Sequence, residues 1–376
     1  MRRLSWTGTA LGAVLLVAAA MGCTPTTLPA GPGAATPPPG GQGVVGVNPT
    51  IPIQSGARTS TVKYGPWTVP AATGHAFGQE GSIKNELDIL GVQKPCDLCY
   101  IVGIEPTLKH ADGRVANWDT GQMLHHVVLI EQGRPDPTCD TIDGVGALGQ
   151  RFFASGNERT KLRAPAGYGY PVGNGPWTLV YDLMNHTTLP SDVYIEFTFK
   201  WVPLSTPGMK AQRPVWLDVA NCTFGDVTPR TGSFSFTYDW RVDNPGRILG
   251  VGGHLHDGGS HISITNASTG KLICNSVAGY GGPGYESDHG QEHNHEEHDH
   301  STPPTTDGHG HTDEDHARMH LSSMSQCVAP NKDAPLGTIL RGQTLRLKAF
   351  YNTTKHPSHG DHPLMGISII YIDPLL

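Results

Sequence analysis

Val193-Tyr194-Ile195-Glu196-Phe197-Thr198-Phe199 places an apolar residue at every second position. Successive side chains of a β-strand point to opposite faces, so such a segment can bury one face and solvate the other. The same period recurs in Gly232-Ser233-Phe234-Ser235-Phe236-Thr237-Tyr238, in His261-Ile262-Ser263-Ile264-Thr265 and in Thr344-Leu345-Arg346-Leu347-Lys348-Ala349-Phe350. A further apolar run is His126-Val127-Val128-Leu129-Ile130. Gly, Pro, Asn and Asp separate these runs, and no amphipathic helix of useful length interrupts them. Short extended runs between turn signals predict an all-β chain of antiparallel strands, in sandwiches or barrels.

The candidate folded part, 61–376, is long for one sandwich and sufficient for two tandem antiparallel β-sandwich domains. The best break is Pro203-Leu204-Ser205-Thr206-Pro207-Gly208, directly after Lys200-Trp201-Val202. It divides an N-terminal domain at 61–205 from a C-terminal domain at 206–376. The second domain is interrupted at 289–320 by a stretch dense in His, Asp and Glu and nearly free of large apolar residues. Such a stretch cannot pack a core and is expected as a loop insertion. It is either a loose metal-binding tract or a solvated loop. Cys274 and Cys327 stand on either side of it and could staple its base.

Ahead of the body, Met1-Arg2-Arg3 and the short apolar run 10–20 have the form of an export signal, too short to span a bilayer as a stable helix. Its end, Ala20-Met21-Gly22-Cys23, resembles the lipobox of bacterial lipoproteins. That resemblance implies cleavage before Cys23, acylation of Cys23 and anchorage to the bacterial cell envelope; ordinary secretion is the alternative. Residues 24–60 are Pro, Gly, Thr and Ala with almost no charge, the composition of a disordered tether. Seven cysteines less Cys23 leave Cys96, Cys99, Cys139, Cys222, Cys274 and Cys327. An even number in an exported chain favours disulfides, with the pairing open. Cys96-Asp97-Leu98-Cys99 could also be a redox or zinc pair, but no second Cys pair at zinc spacing and no βαβ pattern accompanies it. A net charge of -7 and the lack of a basic stripe exclude a nucleic-acid surface.

Candidate metal ligands lie in four places. His254-Leu255-His256, between Gly252-Gly253 and Asp257-Gly258-Gly259, puts two imidazoles on one face of an extended segment, where they can converge on one ion. His125-His126 are adjacent, and adjacent strand residues face opposite ways unless the strand is bent there. His186, in Asp182-Leu183-Met184-Asn185-His186-Thr187, would complete a three-histidine set with an open position. Met365 precedes Gly366-Ile367-Ser368-Ile369-Ile370-Tyr371. A methionine there is ordinary packing by itself, whereas a thioether joined to two imidazoles favours copper over zinc.

In order, His125-His126, His186, His254-Leu255-His256 and Met365 resemble the copper type II, ascorbate-dependent monooxygenases, the family of peptidylglycine α-hydroxylating monooxygenase and dopamine β-monooxygenase. Tyr351-Asn352-Thr353-Thr354 ahead of the methionine is also similar to that family. The resemblance implies two tandem β-sandwiches with one copper ion each. His254, His256 and Met365 would hold the copper that activates O₂, and His125, His126 and His186 the electron-storing copper. Ascorbate or another reductant would supply electrons for insertion of one oxygen atom into a C–H bond of a small-molecule or peptide substrate. The chain departs from the family in the insert, in the surroundings of His186 and in lacking residues that would grip a peptide C-terminus or a catecholamine. A copper-handling lipoprotein without catalysis and a structural surface protein are the competing expectations. Metal content and reductant-driven O₂ uptake separate the three.

Overall fold

The computed structural model describes residues 54–74, 79–88, 92–142, 145–146, 149–223, 227–281, 320–357 and 363–375. Cys23, the export signal, most of the tether and 289–319 of the His-rich stretch lie outside the described residues. Among the described residues there is no α-helix; the one helical element is the 3-10 turn Trp118–Thr120.

Four sheets, antiparallel but for one pairing, make up the body, beside a two-stranded ladder of Thr141–Ile142 and Val145–Gly146. In the first, Ser191–Pro203 lies between Arg58–Val69 and Cys99–His110, and the order continues through Tyr168–Pro171 to Lys210–Ala211. That last pairing is parallel. Arg58, Thr59 and Ser60 already pair with Trp201, Lys200 and Phe199, so the first strand starts ahead of residue 61. The second sheet runs Gly81–Asp88, Trp177–Asn185, Gln122–Glu131, Gln150–Gly156. The third runs Arg213–Asp218, Gly366–Pro374, Gly246–Leu255, Cys327–Val328. The fourth runs Ser233–Arg241, Thr344–Asn352, Gly259–Asn266, Lys271–Tyr280, Leu321–Met324.

The alternation of 193–199 has its expected consequence. Val193, Ile195, Phe197 and Phe199 are fully buried in one hydrophobic cluster with Leu124, Val127, Leu129, Trp177 and Leu179 of the second sheet. A second cluster joins Val215, Leu217, Ile370 and Ile372 of the third sheet to Ile262, Ile264, Leu345 and Leu347 of the fourth. The continuous apolar run 367–372 has a different explanation. Its strand is buried on both faces, with Ile367, Ile369 and Tyr371 in the first cluster and Ile370 and Ile372 in the second. A strand covered on both sides reads as an unbroken apolar run rather than as an alternation.

Polar contacts tie the same surfaces together. The Tyr371 hydroxyl donates to the Phe152 carbonyl at 2.9 Å, and the Arg151 guanidinium lies 4.5 Å from the Trp216 ring centre. The Tyr168 hydroxyl donates to Asp373 at 2.8 Å, which Arg247 also engages.

The six described cysteines pair as Cys96–Cys99, Cys139–Cys222 and Cys274–Cys327. Cys274–Cys327 is the staple expected at the base of the insertion. It spans 53 residues of sequence. Closing a loop of that length in the unfolded chain is worth about 4 kcal/mol by the chain-entropy argument. Replacing both cysteines by Ala is therefore expected to lower the urea midpoint with an m-value changed only through the denatured state. An unchanged midpoint in an oxidised sample would refute a stabilising role.

Candidate metal centre

The first sheet-borne histidines owe their position to a bulge. Asp182 faces His126 and the next residue, Leu183, faces Leu124, so His125 is an extra residue in the strand Gln122–Glu131. Burial shows the consequence. Leu124, Val127 and Leu129 all enter the first hydrophobic cluster, although 124 and 127 are an odd number of residues apart. The phase of the strand therefore changes between them, and His125 and His126 both turn away from that core. A bulge is the standard means of re-aiming a strand side chain.

The other pair arrives on Gly246–Leu255. Leu255 packs in the second cluster, and a Cβ on Gly253 would meet Ser276 and Met324 on that same side. His254 and His256 take the opposite face and point at the first pair of sheets. The approach is close. A Cβ on Gly156 would lie 2.7 Å from the His254 ring and 2.7 Å from the His125 carbonyl, so only glycine fits there.

The result is a cluster of imidazoles drawn from both ends of the chain. His125, His126 and His256 each offer a ring nitrogen within 4.8 Å of the others. His126 Nε2 and His256 Nε2 are 2.9 Å apart. The His254 ring lies beside them, its centre 5.0 Å from that of His126 and 5.3 Å from that of His256.

The outer partners fix which nitrogen is free to bind. A carbonyl can only accept, so His256 Nδ1, 2.6 Å from the Pro363 carbonyl, carries the proton and leaves a lone pair on Nε2. Asp182 accepts from His125 Nδ1 at 3.0 Å and lies 3.7 Å from His126 Nδ1. Glu158, itself held by the Gly156 N–H at 2.9 Å, accepts from His254 Nδ1 at 3.1 Å. His254 Nε2 is buried and has no hydrogen-bond partner among the described residues. A buried nitrogen left without a partner is costly unless something else satisfies it.

Electrostatics agrees. Burial alone would raise the Asp182 pKa, but the hydrogen bonds from His125 and His126 override it and hold the carboxyl well below the usual carboxylate range. Glu158 is likewise raised by burial but lowered overall by His254. Burial, then the charge of His125, pushes His126 down to about 3 against the pull of Asp182. His256 is pushed well below its ordinary value by burial and then by its neighbouring imidazoles. These two rings are neutral at neutral pH, the state a metal ligand requires. Three convergent imidazoles, tautomers set by carboxylates and a carbonyl, and an unsatisfied buried Nε2 fit a copper ion.

The expected ligands are grouped differently from the order in which they occur. His256 lies with His125 and His126. His186 lies elsewhere: its ring packs on Trp118 with centres 4.1 Å apart, and His320 stacks on the same indole at 3.5 Å. His320 is bonded in turn to Asp257 at 2.7 Å. Met365 is in the first hydrophobic cluster, and its carbonyl accepts from the Tyr351 hydroxyl. That bond steadies the backbone two residues past Pro363, whose carbonyl holds His256.

Sequence reasoning missed Asp182 and Glu158. Asp182 could have been found from the phase change between Leu124 and Val127, which requires a partner across the bulge. Glu158, in Gly156-Asn157-Glu158-Arg159, carries no local signal.

No protein-family model matches the chain. Two fungal proteins are similar to it over most of its length. One, from Phoma sp. (strain ATCC 20986 / MF5453), is named probable copper-dependent oxygenase M1. It is 29% identical over 328 residues, covering 84% of this chain and 72% of that protein. The other, from Cochliobolus lunatus, is named probable copper-dependent oxygenase clz3. It is 29% identical over 278 residues, covering 70% of this chain and 76% of that protein. These relatives support a copper-dependent oxygenase family. Among solved structures, the major capsid protein P2 of bacteriophage PM2 matches 85% of this chain and 98% of its own at 11% identity, with a TM-score of 0.27. A likeness that low bears on neither fold nor function.

Proposed function

We propose that this chain is an exported, lipid-anchored copper monooxygenase that hydroxylates a C–H bond of an organic substrate, using O₂ and a reductant such as ascorbate. In this reading the four sheets form two tandem sandwiches, akin to the ascorbate-dependent copper monooxygenases, with the His-rich stretch inserted in the second. The observation that carries the proposal is the convergence of His125, His126 and His256 with carboxylates behind the rings. The two relatives supply the chemistry by name.

Copper bound there would supply the one-electron redox chemistry that O₂ requires. The chain's own residues prepare the place. Asp182, Glu158 and the Pro363 carbonyl hold the Nδ1 protons of His125, His254 and His256, so that Nε2 lone pairs face inward. Burial keeps the rings of His126 and His256 neutral. The cluster with His254 accounts for one ion. Two ions per chain, the count the resemblance implies, would need a further donor set built around His186 or Met365.

Copper analysis together with reductant-driven O₂ uptake tests the proposal. Stoichiometric copper without uptake would leave a copper-handling protein, and no tight copper would remove both readings. Met365 gives a finer test. Met365→Ile keeps the apolar bulk, so packing alone predicts a stability loss under about 1.5 kcal/mol. If the thioether is a ligand, the sulfur contribution to the Cu(I) X-ray absorption spectrum disappears and uptake falls. An unchanged spectrum and unchanged uptake would confine Met365 to packing.

A further inference from the structure

His256 stands one residue past the strand Gly246–Leu255, and Asp257-Gly258-Gly259 follows it. Gly258 has a φ of 88°, and glycine loses more freedom on folding than any other residue, so a ring on this turn needs outside support to stay in place. The fourth sheet supplies some of it. The Asn352 N–H donates to the Gly258 carbonyl at 2.7 Å, and the Tyr280 hydroxyl donates to the Gly259 carbonyl at 2.8 Å. A further hold comes through Asp257. Its carboxylate accepts from the Leu321 N–H and from His320 Nδ1, each at 2.7 Å. His320 and Leu321 in turn meet two segments of the first half of the chain. The buried His320 ring stacks on Trp118, 6° from parallel with centres 3.5 Å apart. Trp118–Thr120 is the turn that leads into the strand bearing His125 and His126. The Leu321 carbonyl accepts from Asn157 Nδ2 at 2.9 Å, next to Glu158, which holds His254. One dipeptide therefore touches supports of the rings from both halves.

We infer that His320 is a positioning residue for the metal centre. Through Asp257 it fixes the turn that carries His256, and through its stack on Trp118 it sets that turn against the strand of His125 and His126. The chemistry of the contacts fits the role. Hydrogen bonds to a carboxylate are shorter and roughly twice as strong as those between neutral groups. A carboxylate only accepts, so the bond to Asp257 places the proton on His320 Nδ1, while the flat stack on the indole fixes the plane of the ring. A stack alone would hold the ring without reaching His256. A hydrogen bond alone would hold Asp257 without reference to the first half of the chain. Together they couple the two. His320 acts at one remove, because the convergent group is His125, His126 and His256. Copper in this account rests on the proposed function; the hold on His256 does not.

The test begins on the metal-free, full-length protein carrying nitrogen-15-labelled histidine. The His256 Nδ1 proton, held by the Pro363 carbonyl at 2.6 Å, reports how firmly the ring is placed. In His320→Ala it should exchange with water about ten-fold faster than in the parent, as a local opening made easier by that factor. Copper affinity, measured against a competing chelator, should fall about ten-fold, the low end for loss of an outer partner of a metal ligand. The Cu(II) paramagnetic resonance spectrum should shift with it, whereas a merely structural role would lower the melting temperature and leave exchange and spectrum alone. His320→Asn keeps a donor for Asp257 and should recover part of the affinity; His320→Phe keeps only the stack and should recover none. Asp257→Ala should reproduce the loss, and the double variant with His320→Ala should lose no more than either single one. If His320→Ala lacks a folded circular-dichroism spectrum, His320→Phe carries the same expectation. Parental exchange and affinity in these variants, or additive losses in the double variant, overturn the inference. So does a loss beyond about 100-fold with a nitrogen scatterer missing from the X-ray absorption, which would make His320 itself a ligand. A parent without tight copper removes the copper reading, and His256 exchange then decides the positioning role.

Discussion

His256→Ala is expected to abolish tight copper binding and reduce reductant-driven O₂ uptake to background in a protein that still folds. His256 is the member of the cluster that the second half of the chain contributes, and its Nε2 stands 2.9 Å from that of His126. Losing a mere outer partner of a ligand typically weakens metal binding about 10–100-fold. Losing an imidazole that itself faces the ion should exceed the upper end of that range. The fold should survive because the ring lies just beyond the end of Gly246–Leu255 and belongs to neither hydrophobic cluster. Copper titration with a competing chelator, paired with circular dichroism, measures both. His186→Ala is the control, because that ring packs on Trp118 outside the cluster. Full copper affinity in His256→Ala, or an equal loss in His186→Ala, would place the ion elsewhere.

The fold class was legible because it depends on local alternation. Val193 to Phe199 declares which side chains go inward, and every odd residue of that run is buried. The His254-x-His256 spacing was legible for the same reason, since a strand puts i and i+2 on one face. The grouping of the ligands was not. It follows from how the third sheet packs against the first two, through residues such as Trp216, Ile369 and Tyr371, and periodicity says nothing about which sheet face meets which. The run 367–372 records burial on both faces without naming the partner on either. Adjacency in sequence therefore suggested two sets, whereas the packing draws His256 to His125 and His126. His186 and His320 show the converse. Both rings rest against the indole of Trp118, a contact between separate segments that the sequence does not announce.

The carboxylates behind the rings give the second large effect. Asp182→Asn is expected to weaken copper binding about 10–100-fold, the usual consequence of removing a charged partner from a metal-bound imidazole. The substitution is nearly isosteric and Asp182 is buried, so the bulge should persist and the change is chiefly one of charge. Asp182 serves two rings at once: it accepts from His125 Nδ1 at 3.0 Å and lies 3.7 Å from His126 Nδ1. An amide oxygen can replace one of these interactions but brings no negative charge to offset that of an ion. Its NH₂ group, turned towards the second ring, would favour the wrong tautomer. Glu158→Gln should do less, because Glu158 supports only His254, which lies beside the closest three rings. Thermal stability offers a readout independent of turnover. Copper stabilises the folded chain in proportion to the logarithm of its affinity, so that loss removes about 1.4–2.7 kcal/mol of the copper-induced gain. The metal-free variant should melt below the metal-free parent, because the hydrogen bonds that hold Asp182 ionised also stabilise the metal-free fold, so the copper-induced gain is compared within each protein. An Asp182→Asn protein with undiminished copper-induced stabilisation would show that the carboxylate organises the strand and not the ion.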